Sequence, residues 1–184
     1  MEEERLNVIL RAVFIIGAVL LIIYGLQFYG NRKQEIDDFD TIRIVSNGFS
    51  QILLQAHDEW KKVGGGTGVR MNFLANAVDD VIFNTQGWPY GASDGKTVPI
   101  VNFESQDATD AELDQSCAQI FNNLLVNTKV RSVPSHAPCK AEFCALAEGD
   151  RCRYLYAKSP ENGFSYRPSN GNVEAFFTQR RSGQ

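Results

Sequence analysis

The sequence predicts an α+β fold in which a long N-terminal helix, transmembrane in its first half and amphipathic in its second, packs on a C-terminal antiparallel sheet. Three observations predict it: an uncharged apolar run, an apolar stripe at helical spacing, and alternating segments near the C-terminus. The predicted parts are a cytoplasmic N-terminus over 1–11, a transmembrane helix over 12–29, its amphipathic extension over 30–63, a glycine linker over 64–68, a periplasmic α+β domain over 69–178 and a tail over 179–184.

Composition narrows the classes of function. The chain has 184 residues, of which 22% are charged and 43% hydrophobic, as expected for a folded domain with one apolar segment attached. Its net charge is −4, and Lys61-Lys62 and Arg180-Arg181 are isolated basic pairs. Because a nucleic-acid-binding protein concentrates basic residues on one face, we expect no nucleic-acid partner.

Residues 12–29 read AVFIIGAVLLIIYGLQFY and carry no charge. A helix of this length spans about 27 Å, close to the roughly 30 Å of a bilayer core. A cleaved signal peptide is disfavoured by the acidic Glu2, Glu3 and Glu4 and by the lack of a small-residue cleavage site. All four cysteines lie downstream, which favours an oxidising compartment on that side. The sequence therefore predicts a single-pass protein of the bacterial inner membrane, with its N-terminus cytoplasmic and its C-terminal domain periplasmic.

The amphipathic extension continues the helix without a proline, although Gly48 weakens it by about 1 kcal/mol. Three consecutive glycines beginning at Gly64 predict its end. The stripe either packs against its own domain or meets another chain, and Phe39 and Phe49 are the candidate partner contacts. The stripe consists of Ile36, Phe39, Ile42, Val45, Phe49, Ile52, Leu53, Ala56 and Trp60.

Short elements are predicted in the globular part. Thr109 and Glu112 have the spacing of a capping box, which predicts the start of a helix over 107–127. Residues 132–151 are predicted to be a loop. Predicted strands cover 69–73, 78–83 and 98–103, and a three-stranded meander covers 153–156, 164–166 and 173–177, with turns at 160–163 and 170–171.

Four cysteines allow three disulfide pairings. Cys139 and Cys144 are near enough in sequence to close a local ring, which leaves Cys117 to bond with Cys152. This second bond would stabilise the fold by roughly 3 to 4 kcal/mol on the chain-entropy model. The alternative is a zinc site made by His136 with Cys139, Cys144 and Cys152, whose spacing is not that of a zinc finger.

No residue pattern predicts catalysis. The two histidines, His57 and His136, belong to no recognisable catalytic motif. Asp79 and Asp80 are adjacent in a predicted strand and point to opposite faces, which makes them a poor acid/base pair. A nucleophile pair of Cys139 with His136 requires a free thiol. We therefore expect no enzymatic activity, no cofactor, no metal and no small-molecule substrate.

The overall plan, a membrane helix continuous with an amphipathic helix and followed by an antiparallel sheet and a disulfide, resembles the type IV pilins and pseudopilins. Within that group the stretch VRMNFLANAVDDVIFNTQGWPYG is most similar to the mannose-sensitive haemagglutinin (MSHA) pilus biogenesis protein F family. Asn84, Gly87, Trp88 and Pro89 carry the match, and Cys117 and Cys152-Arg153-Tyr154 support it. The resemblance implies a pilin-like fold and an accessory protein that acts in pilus assembly or as a minor fibre component.

The chain departs from the pilin pattern at its N-terminus, where no glycine-terminated leader site precedes the apolar run and no acid lies inside it. Other pilin or pilus-assembly subunits and the membrane are the expected partners.

Two alternative functions remain open from the sequence. One is a type II secretion pseudopilin-like component, and the other is a bitopic periplasmic ligand-binding domain. Trp88, Pro89 and Tyr90 either fill the gap between helix and sheet or stay exposed as a partner contact.

Overall fold

The computed structural model describes residues 21, 37–67, 69–71, 80–93, 108–125, 130–135 and 139–178. The chain divides into two compact units, Met1–Phe39 and Asp40–Gln184. Within the first unit, only Leu21 and residues 37–39 are described. The predicted strand over 98–103 and most of the apolar run over 12–29 lie outside the described residues.

Helix α1 is described over residues 37–62 and ends at residue 62. Its apolar side chains recur every three or four residues, so Ile42, Phe49 and Leu53 come to one face, where each is at most 1% exposed. The helix ends at the glycine run, whose first residue, Gly64, has φ 93°. An L-residue with a side chain rarely adopts this angle, which is why glycine suits the helix end. The Gly65 N–H closes the last turn on a carbonyl of the helix.

A small antiparallel sheet follows α1. Its strands are β1 Val69–Met71, β2 Asp80–Phe83 and β3 Pro89–Ser93, in the order β1-β2-β3. The register shifts between Ile82 and Phe83, next to the turn that joins β2 to β3. Strand β3 was not predicted, since its sequence PYGAS contains proline and glycine and reads as a turn.

Helix α2, Asp110–Leu124, begins at the predicted N-cap. The Thr109 side chain accepts the Glu112 N–H, and the Glu112 carboxylate accepts the Thr109 N–H at 2.9 Å, so the capping box is complete. Cys117, Ile120 and Phe121 form its buried face, each 0% exposed. The N-cap residue is the one predicted from the sequence, and the helix is a few residues shorter at both ends.

The remaining strands form a five-stranded sheet. Only the first pair, β4 with β5, is parallel; the other neighbours are antiparallel. In spatial order the strands are β4 Ser132–Pro134, β5 Phe143–Glu148, β6 Arg151–Tyr156, β7 Ser159–Arg167 and β8 Asn172–Phe176.

Aromatic rings fill the core of the second unit. The Phe49 ring of α1 has its centroid 5.8 Å from that of Phe121 in α2. It lies 5.6 Å from each of the rings of Tyr154, Phe164 and Tyr166 in the sheet. Aromatic pairs at these distances each add about 0.5 to 1.5 kcal/mol beyond the burial of their area. The core therefore depends on contacts between elements that are far apart in sequence.

The predicted fold class is wrong. The described residues contain two helices and two separate sheets, one of them mixed, rather than one long helix on a single antiparallel sheet. No helix in this part of the chain is both long enough and apolar enough to cross a membrane. That finding also contradicts the predicted single-pass inner-membrane localisation, and the residues 12–29 on which it rested are not described apart from Leu21.

Two local predictions in the sheet also need correction. The predicted loop over 132–151 contains β4 and β5, because Phe143 and Ala145 alternate inward and pair with β6. The turn predicted at 160–163 lies instead at residues 157–158, just before β7. Gly163 is inside the strand, where an added Cβ would lie 2.1 Å from the Tyr154 carbonyl oxygen. Gly163 is required for close approach of two strands, not for a turn.

Candidate functional site

The turn between β2 and β3 is organised by one buried side chain. Asn84 Oδ1 accepts the backbone N–H groups of Gln86 at 3.0 Å and Trp88 at 2.9 Å. Its Nδ2 donates to the Pro168 carbonyl at 2.7 Å. The Asn84 and Gly87 N–H groups close the turn on the carbonyls of Trp88 and Asn84, both at 3.0 Å. A single asparagine thus shapes this turn and ties it to a segment 84 residues away.

Gly87 brings this turn against the C-terminal end of α1. Its φ is 81°, and an added Cβ would lie 2.3 Å from Trp60 Cε3 and 2.7 Å from His57 Nδ1. The His57 Nδ1 atom lies 2.7 Å from the Gly87 carbonyl oxygen. Since a carbonyl only accepts, Nδ1 carries the proton in this contact. Glycine is needed here both for its backbone angle and for the absence of a side chain.

Three aromatic rings gather at this turn. The His57 ring stacks on Trp88 at 4.0 Å and 5°, and on Trp60 at 5.8 Å and 10°. The Trp60 Nε1–H donates to the Gly66 carbonyl at 3.0 Å, which fixes the second indole. We call His57, Trp60, Gly87 and Trp88 the aromatic corner. It joins the last two turns of α1 to the β2–β3 turn.

The other side of the aromatic corner contacts the five-stranded sheet. At Gly171, in the turn before β8, an added Cβ would lie 2.4 Å from the Trp88 ring. The Tyr166 hydroxyl donates to the Pro89 carbonyl at 2.6 Å. Burial raises the pKa of Tyr166 well above its ordinary value, so its hydroxyl remains a donor at any physiological pH. The corner therefore connects α1, the small sheet and the large sheet.

The predicted partner contacts lie at different depths. Trp88 and Tyr90 are half-buried, and Pro89 is buried. Phe49 is 0% exposed and belongs to the core, while Phe39, in the first unit, is half-buried.

The structure connects Trp88 and Pro89 with His57 and Trp60. The sequence did not predict this association. No short-range signal links residues some thirty positions apart, such as His57 and Gly87.

Exposed apolar side chains lie on the other side of α1. Ile44 is 70% exposed and Leu54 is 55% exposed. They lie about 80° apart around the helix and about 15 Å apart along it, with the exposed Gln51 and Gln55 on the same side. We call these four residues the outer face of α1. Sequence reasoning missed it, although the signal was there, since Ile44 and Leu54 do not fit the spacing of the inward stripe.

All four cysteines form disulfides, in the pairing predicted from their positions. Cys117 bonds to Cys152 with 5.5 Å between their Cα atoms, and Cys139 bonds to Cys144 with 5.7 Å. The alternative zinc site is therefore wrong, because it would need thiolates at three of these positions. His136, its fourth ligand, lies outside the described residues.

The candidates for catalysis do not come together in the described part of the chain. Cys139 is oxidised and so cannot act as a thiolate nucleophile. His57 has one ring nitrogen engaged with a backbone carbonyl. Asp79 and His136 are not described, and no cluster of three or more potential metal ligands occurs among the residues that are.

What the arrangement offers is a rigid connection and an exposed apolar helix face. Hydrogen bonds, ring stacking and close glycine contacts fasten the end of α1 to both sheets. Comparison of the chain with protein-family models, curated proteins and solved structures gave no match.

Proposed function

We propose that the protein is a non-enzymatic subunit of a type IV, MSHA-like pilus system, acting in pilus assembly or as a minor fibre component. The observation that carries this proposal is the connectivity of the residues on which the resemblance rests. Asn84, Gly87, Trp88 and Pro89 form one hydrogen-bonded turn that is fastened to α1 and to the large sheet. Because these four residues act together in one structural element, they support the resemblance to a pilus protein better than four unconnected positions would.

The aromatic corner has a mechanical role in this proposal. A subunit that works through protein contacts has to hold its contact surface still relative to its core. The buried face of α1 is anchored by Phe49, and the helix end is held by His57 and Trp60. Together these contacts keep α1 in one orientation on the sheets. The surface of the helix is thereby pre-organised for a partner, which lowers the entropic cost of binding.

The outer face of α1 is the contact surface in this proposal, and another pilin-type subunit is the partner. Burying a large aliphatic side chain contributes about 1.5 to 3 kcal/mol, so Ile44 and Leu54 together supply a useful share of a subunit contact. Gln51 and Gln55 on the same face provide amide groups that can both donate and accept hydrogen bonds with a partner.

The test is piliation of the source organism after deletion of the gene, with surface pili counted by electron microscopy. We expect the deletion to remove or strongly reduce the pili, and the unchanged gene to restore them. The double variant Ile44→Lys/Leu54→Lys should fail to restore them, because two charges replace the apolar contact. Ala111→Lys/Gln115→Lys is the matched control, which adds the same two charges at exposed positions of α2, outside the outer face, and should restore the pili fully.

Thermal unfolding of both variants establishes that each is folded, as expected for exposed positions. A deletion strain with a normal number of pili contradicts the proposal. A strain that keeps its pili but fails to export a secreted protein would assign the chain to a type II secretion system instead.

A further inference from the structure

The two disulfides differ in their access to solvent. Cys117 and Cys152 are both 0% exposed and belong to the core, where the Tyr154 hydroxyl donates to the Cys117 carbonyl at 3.0 Å. Cys139 is exposed and Cys144 is half-buried at the second position of β5. Thiol–disulfide exchange requires a thiolate to reach a sulfur atom. Only the Cys139–Cys144 bond is therefore open to attack in the folded protein.

We propose that the Cys139–Cys144 bond is a thiol–disulfide exchange site that takes an external dithiol, of the class found in Cys-x-x-Cys oxidoreductases. The Cys117–Cys152 bond is inert as long as the protein is folded. This inference is independent of the proposed pilus function, since it rests on the different exposure of the cysteine residues and on the pairing of β5 alone.

The exchange takes place in two balanced steps. A thiolate of the dithiol attacks Sγ of Cys139, the more exposed residue of the pair, and forms a mixed disulfide while Cys144 leaves as a thiolate and takes up a proton. The second thiol of the reagent, deprotonated, then attacks its own sulfur in the mixed disulfide and releases the Cys139 thiolate, which is protonated. The cystine of this protein is reduced to two thiols, and the external dithiol is oxidised to a disulfide.

The sheet does not depend on this bond. On one side of β5, the Phe143 N–H donates to the Arg131 carbonyl at 3.1 Å. On the other side, the Ala157 N–H donates to the Glu142 carbonyl at 2.8 Å. The register of β5 with β6 continues over all six residues of the strand. Opening the disulfide therefore releases residues 139–141 and leaves Cys144 held in β5.

The position of Cys144 in the sheet favours repeated exchange. It lies opposite Leu155 of β6 on the face of the sheet that points away from the helices, whereas Phe143 and Ala145 point into the core. The reduced Cys144 thiol thus stays at the surface and stays close in sequence to Cys139. Attack of the reduced pair on the disulfide form of such an oxidoreductase reverses the two steps and reduces that protein to its dithiol. The ring that closes between Cys139 and Cys144 is short, with a sequence separation of 5, so its closure costs little loop entropy.

The first experiment treats the folded full-length chain with dithiothreitol, blocks the thiols with N-ethylmaleimide and locates the label by mass spectrometry. We expect two labels per chain, at Cys139 and Cys144, formed at least about tenfold faster than any at Cys117 or Cys152. Under denaturing conditions all four cysteines should react. Circular dichroism of the doubly labelled chain should retain the signal of the folded protein.

The second experiment tests the class of partner. Thioredoxin with its resolving cysteine replaced by serine is incubated with the folded chain, and mixed disulfides are identified on non-reducing gels and by mass spectrometry. We expect a one-to-one adduct at Cys139, and none with the variant Cys139→Ser/Cys144→Ser. Simultaneous reduction of both bonds, reduction only on unfolding, or the absence of an adduct at Cys139 each overturns the proposal.

Discussion

Gly87 shows how much of the aromatic corner depends on the absence of one atom. Its carbonyl accepts from His57, and the place of its missing side chain is taken by the rings of His57 and Trp60. Gly149, in the turn between β5 and β6, shares the positive φ but has open space at the Cβ position. Adding a side chain at Gly149 therefore costs stability only through the backbone angle, whereas adding one at Gly87 also costs stability through crowding against the two rings.

We expect Gly87→Ala to destabilise the protein by about 2 to 5 kcal/mol, the sum of a left-handed alanine and an overpacked ring contact. Gly149→Ala should cost only the first of these, about 1 to 2 kcal/mol. Urea denaturation of both variants measures the two losses. Equal losses of free energy of unfolding in the two variants would show that the rings of His57 and Trp60 move aside without cost. The contact at Gly87 would then not be a tight one.

At the scale of single elements, α2 depends on its N-terminal cap. Glu112 accepts from both the N–H and the hydroxyl of Thr109. These hydrogen bonds, the backbone one first, hold the pKa of Glu112 below its ordinary value. A carboxyl group with a lowered pKa in the folded state contributes stability above its unfolded pKa, and this contribution is lost as the pH falls through the folded value.

Acidification therefore tests the capping box. Between about pH 6 and pH 3, which brackets the ordinary glutamate value of about 4.3, the wild-type protein should lose more free energy of unfolding than Glu112→Gln. The glutamine keeps a hydrogen-bonding side chain but does not titrate. Urea denaturation at both pH values measures the free energy of unfolding of each protein. The same loss in the two proteins would mean that ionisation of Glu112 in the capping box contributes no stability.

At the scale of the whole molecule, the buried disulfide joins α2 to β6 through the centre of the core. It closes a loop with a sequence separation of 35, against 5 for the exposed one. On the chain-entropy model these separations correspond to about 4 and about 2 kcal/mol. The long-range bond should therefore do more for folding, and the exposed bond is the one the protein can open without losing its fold.

We accordingly expect Cys117→Ala/Cys152→Ala to lose roughly twice as much free energy of unfolding as Cys139→Ala/Cys144→Ala. Guanidinium denaturation of the two double variants under non-reducing conditions measures the difference. A larger loss from the exposed pair would contradict the assignment of Cys117–Cys152 as the stabilising bond.

Local chemistry alone was enough to place several features of this protein. The cap at Thr109, the end of α1 near Gly64 and the existence of strands β6 to β8 were predicted, because each signal lies within a few residues of the feature. The first half of β7 was not, since it was predicted to be a turn. The disulfide pairing followed from the same kind of reasoning, as the short ring of Cys139 with Cys144 left one partner for Cys117.

Contacts between distant residues decided the rest. The aromatic corner needs His57, Gly87 and Gly171 to meet, and β5 becomes a strand only because β4 and β6 pair with it. The predicted fold class failed for the same reason, because periodicity identifies a helix but not which neighbours it will have. Burial of Phe49 among four rings from other elements, and exposure of Ile44 on the opposite side, are properties of the assembled core and not of the helix that carries them.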